Sequence, residues 1–272
     1  ERLGDDLLVA VDEEGGRVTS LRELGDRTPS ARRLGQSGPE AAEEAGAELG
    51  ERLRDLDIDW IFAPVVDLDG GPWDGVIGDR SFGDDPDEVA AAAAAFADGL
   101  RDEGIAVTLK HFPGHGGDGD PHLGVTVDRS TRSALVRDDL EPFEALIDDG
   151  AETVMVGHVA YPQVWGDLPA SLEPGAYELL RSRGFEGVAV TDALGMGAVH
   201  GRWGFEVAPA IALAAGADVA LVNQGDRAPE LLEGILVALL TGGLSEARLD
   251  EAVQRILALR GTDATGITCP RA

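Results

Sequence analysis

Side chains that can move protons, attack a carbon atom or bind hydroxyl groups follow directly after several short apolar segments of this sequence. A single aspartate in such a place commonly caps the next helix, and a single histidine there commonly serves the core. Several together indicate a shared site, because the carboxyl ends of parallel strands meet at one edge of a sheet. The residues are Asp12, Lys110, His111, His158 and Asp192.

The densest signal is the segment 110–122, KHFPGHGGDGDPH, which contains the only lysine of the chain. Its glycines and prolines exclude a helix, so His111 and His115 cannot form the i, i+4 pair of a helical zinc site. We therefore predict no metal ion and no cofactor, with a metal site of His111, His115, His122 and Asp120 as the alternative. The favoured interpretation is a loop in which Asp120 orients His122 and raises its basicity, as a general acid/base requires.

These residues need a scaffold that brings strand ends together, and the hydrophobic pattern predicts one. Short apolar, β-branched segments alternate with longer segments rich in Ala, Leu, Glu and Arg, which is typical of repeated βα units. Each apolar segment is nearly continuous, as expected for a parallel strand that is buried on both faces. The predicted strands cover residues 7–11, 60–65, 106–110, 153–157, 188–191 and 219–222, and the predicted helices cover 39–56, 86–103, 132–149, 174–183, 205–215, 230–240 and 246–259.

Residues at the ends of the predicted helices support this division. Prolines stand at three helix starts, where the missing N–H costs nothing, and glycines stand at four helix ends, where a left-handed residue terminates a helix. No GxGxxG follows the first strand and no GxxxxGK[ST] occurs, so the nucleotide-binding motifs of open sheets are absent and a barrel is favoured. The prolines are Pro39, Pro86 and Pro174, and the glycines are Gly104, Gly150, Gly184 and Gly216.

The number of predicted strands is smaller than a closed (β/α) barrel of about eight strands requires. We expect either that this sequence lacks one or two N-terminal βα elements, or that an unrecognised strand lies within residues 195–205. No linker rich in Pro, Gly or Ser interrupts the chain, so we expect residues 1–272 to form a single catalytic domain.

The charge of the chain excludes several classes of partner. With 51 acidic and 22 basic residues the formal net charge is −29, which excludes nucleic acid and an anionic membrane surface as partners. No apolar stretch approaches the ~20 residues of a membrane span. Cys269 is the only cysteine, so no intrachain disulfide is expected. We expect a cytoplasmic monomer or weak homodimer, with a secreted or lipid-anchored protein as the alternative.

Six sequence blocks, taken in order, resemble glycoside hydrolase family 3. They are DEEGGRV at 12–18, FAPVVD at 62–67, IGDRSFG at 77–83, KHFPGHG at 110–116, VMVGHV at 154–159 and TDALGM at 191–196. Within the family, the blocks are most similar to the single-domain bacterial β-N-acetylglucosaminidases that recycle cell-wall fragments. This resemblance implies an α/β fold of the (β/α)8 TIM-barrel type that lacks its first βα element in this sequence, and a small oligosaccharide or muropeptide substrate.

The resemblance also implies roles for individual residues in a retaining glycosidase. Asp192 matches the catalytic nucleophile, which forms a covalent glycosyl-aspartate, and His122 matches the acid/base with Asp120 as its partner. The matched sugar-binding residues are Asp12, Arg17, Arg80, Lys110, His111 and Met196. Hydrogen-bonding carboxylates and cations suit a neutral sugar, which needs a few directed bonds and no positive field.

Alternative functions remain open at this point. A β-glucosidase, a β-xylosidase or a phosphorolytic enzyme of the same family would use the same residues. Ser20 stands where relatives usually carry a second arginine that helps to bind the sugar. Together with the expected absence of a first βα unit, this substitution motivates a further alternative, a non-catalytic sugar-binding barrel.

Overall fold

A computed structural model describes residues 7–25, 27–115, 119 and 124–262 of the chain. The strands in these ranges are β1 (Ala10–Val11), β2 (Glu13–Gly15), β3 (Val18–Thr19), β4 (Trp60–Ile61), β5 (Ala106–Phe112), β6 (Thr153–Val156) and β7 (Val188–Thr191). The helices are α1 (Ala31–Ser37), α2 (Pro39–Asp55), α3 (Pro86–Asp102), α4 (Arg132–Arg137), α5 (Glu141–Asp148), α6 (Pro174–Ser182), α7 (Gly197–Ala215), α8 (Ala228–Thr241) and α9 (Glu246–Leu259).

The main sheet is parallel and follows the order of the chain. Its strands are β1, β4, β5, β6 and β7 in that spatial order, and helices connect them as in repeated βα units. A parallel bridge from Val190 to Val219 continues the sheet, so the predicted strand at 219–222 contributes one paired position. The parallel βα repeat predicted from the hydrophobic pattern is therefore confirmed.

The two faces of this sheet bury different sets of residues, because successive side chains of a strand point to opposite faces. Val154 and Val156 of β6 belong to the large cluster that packs against the helices. Met155, between them, belongs to a smaller cluster with Trp60 and Val190, on the other face of the sheet. Ile256 and Leu259 of α9 pack against this smaller cluster, so both faces are covered, as the continuous apolar strands predicted.

Most predicted helix ends are confirmed. Pro39, Pro86 and Pro174 are the first residues of α2, α3 and α6, and the four predicted terminal glycines all have positive φ angles. The single predicted helix at 132–149 is wrong, because the structure divides it into α4 and α5. Pro142 lies in the first turn of α5, and in an unbroken helix its ring would clash with the preceding turn and remove a hydrogen bond.

Residues 195–205 contain no strand. Instead α7 starts at Gly197, earlier than the predicted start at 205, and it bends at Gly204, whose φ of 69° is not helical. The pattern analysis also missed the short helix α1 and the antiparallel β2–β3 hairpin that follows β1. Across the ranges that the structure describes, no helix is both long and apolar enough to cross a membrane.

Candidate active site

A cavity of about 480 Å³ opens at the carboxyl ends of the parallel strands. Six of the residues predicted from the sequence line it: Asp12, Arg80, Lys110, His111, Asp192 and Met196. A larger groove of about 770 Å³ lies along α7 and α8, but it is mainly apolar and contains none of these residues. We therefore take the smaller, polar cavity as the candidate active site.

A cluster of two carboxylates and two cations forms one wall of this cavity. Glu14 lies in the β2–β3 hairpin, and its carboxylate accepts hydrogen bonds from Nε and Nη2 of Arg80 at 2.7 and 2.9 Å. Nζ of Lys110, at the end of β5, lies 2.5 Å from Glu14 Oε1 and 2.9 Å from Asp12 Oδ1. The lone lysine is thus 2% exposed and already paired with two carboxylates.

The charges in this wall stabilise one another. Burial alone would raise the pKa of Glu14, but Lys110 and Arg80 outweigh it and lower that pKa to about 2. Burial likewise opposes the charged form of Lys110, and Glu14 and Asp12 overcome this effect and raise its pKa. Glu14, Lys110 and Arg80 are therefore ionised at neutral pH. With Asp12 the wall contains two carboxylates and two cations, whose formal charges balance.

His111 is held in one orientation by Asp67. Its Nδ1 lies 2.6 Å from Asp67 Oδ2, and its backbone N–H donates to Oδ1 of the same carboxylate at 3.1 Å. Nη2 of Arg80 lies 3.3 Å from Nε2 of His111, and a guanidinium can only donate. Nε2 is therefore the acceptor, and Nδ1 carries the proton towards Asp67.

His115 lines the cavity beside His111, with their ring centroids 6.0 Å apart. Burial lowers the pKa of His115, so its imidazole is neutral at physiological pH. Its Nε2 is buried and has no hydrogen-bond partner among the described residues.

Asp192 follows β7 directly and lies half-buried in the lining of the cavity. Its Oδ1 accepts a hydrogen bond from the backbone N–H of Ala193 at 2.7 Å. Burial alone would raise the pKa of Asp192, but the nearby His158 above all lowers it below its ordinary value. Asp192 is therefore an ionised carboxylate at neutral pH, which is the state that a nucleophile needs.

His158 lies completely buried behind this carboxylate. Its Nδ1 lies 2.7 Å from Oγ of Ser171, and its Nε2 donates to the carbonyl oxygen of Ala193 at 3.0 Å. The imidazole thus fixes the backbone that follows Asp192. His158 therefore supports the backbone next to Asp192 and does not itself line the cavity.

Arg17 is the predicted sugar-binding residue that the structure does not bring to the cavity. Its guanidinium donates to the backbone carbonyls of residues 73, 75, 76 and 77 and faces the carboxylate of Asp79. These acceptors lie in the segment between β4 and α3. The cause is that the tight β2–β3 hairpin turns Arg17 towards this segment, while Val18 lines the cavity.

The proposed acid/base pair, Asp120 and His122, lies outside the described residues. Over the ranges that the structure does describe, no group of three or more His, Cys, Asp or Glu side chains is arranged to hold a metal ion.

Glu14 and Asp67 are the functional residues that sequence reasoning missed. Both lie inside the motif blocks, and Asp67 follows an apolar segment in the same way as Asp192. That shared position was a usable signal for Asp67. For Glu14 no signal separates it from Glu13, whose carboxylate instead accepts the backbone N–H of Leu21.

Known proteins similar in sequence to this chain include β-hexosaminidases. The model of the glycosyl hydrolase family 3 N-terminal domain matches residues 1–259. The β-hexosaminidase LpqI of Mycobacterium tuberculosis is 43% identical over 274 residues, which cover 94% of this chain and 68% of the relative. A β-hexosaminidase of Methylococcus capsulatus is 41% identical over 243 residues, which cover 87% of this chain and 72% of the relative.

Solved structures show the same likeness. The structure of M. tuberculosis LpqI superimposes with a TM-score of 0.90 at 43% identity and covers 94% of this chain and 78% of the other. A family 3 β-N-acetylglucosaminidase from Paenibacillus sp. has a TM-score of 0.90 at 37% identity, covering 98% of this chain and 52% of the other. These similarities confirm the predicted barrel-type α/β fold.

Proposed function

Because the chain belongs to glycoside hydrolase family 3, we propose that its polar cavity removes terminal N-acetyl-β-glucosamine units from oligosaccharides by a retaining mechanism. The observation that carries this proposal is the ionised carboxylate of Asp192 in one cavity with the wall of Glu14, Lys110, Arg80 and Asp12, whose formal charges balance. The names of the relatives, β-hexosaminidase and β-N-acetylglucosaminidase, support the choice of sugar. We propose cell-wall fragments as the natural source of the substrate and residues 1–272 as one catalytic domain.

The wall of the cavity is suited to a neutral sugar. Asp12 is half exposed, with one carboxylate oxygen on Lys110, so its second oxygen is available to a sugar hydroxyl. Arg80 is held by Glu14 and His111 by Asp67, so both side chains present their polar atoms in fixed positions at little further entropic cost. Because the wall has no net charge, a hydroxyl-bearing ligand is favoured over an anion.

In the first chemical step, an oxygen of Asp192 attacks the anomeric carbon while the bond to the leaving oxygen breaks. The leaving oxygen takes a proton from His122, which Asp120 keeps basic enough to be protonated beforehand. In the second step His122 removes a proton from water, the water oxygen bonds to the anomeric carbon, and Asp192 leaves as a carboxylate. His158 and Ala193 hold Asp192 in place throughout.

A chromogenic assay tests the sugar and the nucleophile together. The wild-type protein is expected to release 4-nitrophenol from its N-acetyl-β-glucosaminide much faster than from its β-glucoside or β-xyloside. Cleavage of the latter two alone would reject the sugar assignment. The Asp192→Ala variant is expected to lose at least about a thousandfold in kcat, because no other group can form the covalent intermediate. The appearance of sugar 1-phosphate in phosphate buffer would instead indicate phosphorolysis.

A further inference from the structure

The segment 69–80, between β4 and α3, brings Arg80 and Val76 to the cavity. Apart from a 3-10 turn at Gly78–Arg80, the segment has no regular secondary structure, so many of its carbonyl groups have no partner within a helix or sheet. Carbonyl groups in such a segment need other donors if the backbone is to keep one conformation. Two arginines from outside the segment supply these donors.

Arg17 holds the middle of the segment. Its Nη2 donates to the carbonyls of Gly75 at 2.6 Å, Val76 at 3.0 Å and Ile77 at 2.8 Å. Its Nη1 donates to the carbonyl of Trp73 at 3.3 Å, and its Nε lies 3.1 Å from a carboxylate oxygen of the residue before Arg80. Every nitrogen of this guanidinium thus faces the segment, which leaves at most one N–H of Nη1 for any other acceptor.

Arg32, in α1, holds the two ends of the same segment. Its Nη2 donates to the carbonyls of Asp69 at 2.5 Å and Gly78 at 2.7 Å, and its Nη1 donates to Gly71 at 3.2 Å. The Asp69 carboxylate adds bonds to the backbone N–H groups of Gly71 and Gly78. Arg32 is 7% exposed, so these bonds are shielded from water.

We propose that Arg17 and Arg32 are positioning residues that determine substrate affinity through Arg80, without touching the sugar. Together they donate to seven backbone carbonyls, and they fix the turn from which Arg80 reaches Glu14 and His111. A planar guanidinium can serve several separated acceptors at once, whereas a lysine ammonium is a point charge on a flexible chain. The effect on substrate affinity rests on the function proposed above, whereas the effect of the two arginines on the conformation of the segment does not.

Conservative substitutions test the catalytic consequence. In R17K and R32K, we expect KM for the chromogenic N-acetyl-β-glucosaminide to rise on the order of tenfold, with kcat changed less than about threefold. The matched control is R33K. Arg33 neighbours Arg32 and is exposed, and within the described ranges the structure shows no partner for its side chain. An unchanged KM in R17K and R32K, or an equal rise in R33K, would overturn the proposal.

A double-mutant cycle separates positioning from direct contact. If Arg17 acts only through Arg80, R17K should have little further effect on KM in an R80K background. If Arg17 binds the sugar itself, the two effects should multiply, and that result would also overturn the proposal. Circular dichroism and Tm of each variant establish that the comparison is made between folded proteins.

Hydrogen exchange tests, without any turnover, whether Arg17 and Arg32 hold the segment 69–80 in one conformation. Amide exchange in the segment 69–80 should become at least about tenfold faster in R17K and R32K, and should stay unchanged in R33K. If the wild type cleaves no N-acetyl-β-glucosaminide, the proposed function is wrong, but this measurement still shows whether the two arginines hold the segment. Unchanged exchange in both R17K and R32K would show that the two arginines do not hold the segment, even if the enzyme is active.

Discussion

Replacing Glu14 by glutamine removes the negative charge at the centre of the cavity wall and keeps the size of the side chain. Glu14 is 6% exposed, and its two oxygens receive both the Lys110 ammonium and the Arg80 guanidinium. In E14Q these two buried cations lose their shared counter-ion. We therefore expect a large loss of stability, since a buried charge left without its partner is strongly unfavourable.

The pKa of Glu14 gives the size of this effect. Its fall from 4.5 to about 2, at about 1.4 kcal/mol per unit, corresponds to about 3 kcal/mol in favour of the ionised, folded form. Because the folded-state pKa is depressed, this contribution is fully present above pH 4.5 and is lost as the pH falls from 4.5 towards 2. E14Q should thus be less stable than the wild type by about 3 kcal/mol at pH 7, and this difference should narrow towards pH 2.

Urea denaturation of both proteins from pH 7 down to pH 2.5 measures this difference directly. The matched control is Glu13→Gln, since Glu13 is also buried but its carboxylate accepts only the backbone N–H of Leu21, a bond that an amide oxygen can keep. We expect the control to change the free energy of unfolding by less than about 1 kcal/mol. A loss below about 1 kcal/mol in E14Q at pH 7, or a difference that stays constant with pH, would refute the reasoning.

Three further predictions concern other parts of the chain. Burial, followed by nearby carboxylates, raises the pKa of Asp139 from 3.8 to about 7. Ionisation of Asp139 therefore destabilises the folded protein increasingly as the pH rises from 3.8 to about 7. D139N should raise Tm at pH 8 and not at pH 4, and an equal rise at both pH values would contradict this prediction. D67N should lower kcat/KM about 10- to 100-fold, because His111 loses a charged partner, whereas unchanged kinetics would show that this pair does not matter. A Cβ on Gly99 would lie 2.3 Å from a carbonyl oxygen of α2. G99A should therefore cost more than about 2 kcal/mol in urea denaturation, while G201A, which meets no atom within 4 Å, should be tolerated; similar values for both would contradict the packing argument.

The sequence predicted the parallel βα repeat well because strands buried on both faces leave continuous apolar segments. The 132–149 helix was wrong for a local reason, since Pro142 was counted as helical although it can stand only in a first turn. That error was avoidable. The β2–β3 hairpin was less accessible, because its two strands have only three and two residues and carry no alternating pattern.

The candidate site was predicted in part for a similar physical reason. Residues at strand ends, such as Asp12, Lys110 and Asp192, converge because the sheet is parallel, and a sequence shows where strands end. The pairing of Glu14 with Arg80 joins residues 66 positions apart, and Arg17 reaches carbonyls 56 to 60 positions away. Backbone carbonyls exist at every residue, so no motif marks those that a guanidinium will bind.

In the proposed mechanism, Asp192 forms a covalent bond to the sugar during turnover. Incubation with 5-fluoro-N-acetylglucosaminyl fluoride, which slows hydrolysis of the intermediate, followed by proteolysis and mass spectrometry, tests this claim directly. We predict one added sugar per chain, attached to Asp192 in the peptide that spans β7 and the start of α7. Attachment to a different residue, or rapid cleavage of the substrate by D192A, would contradict the mechanism.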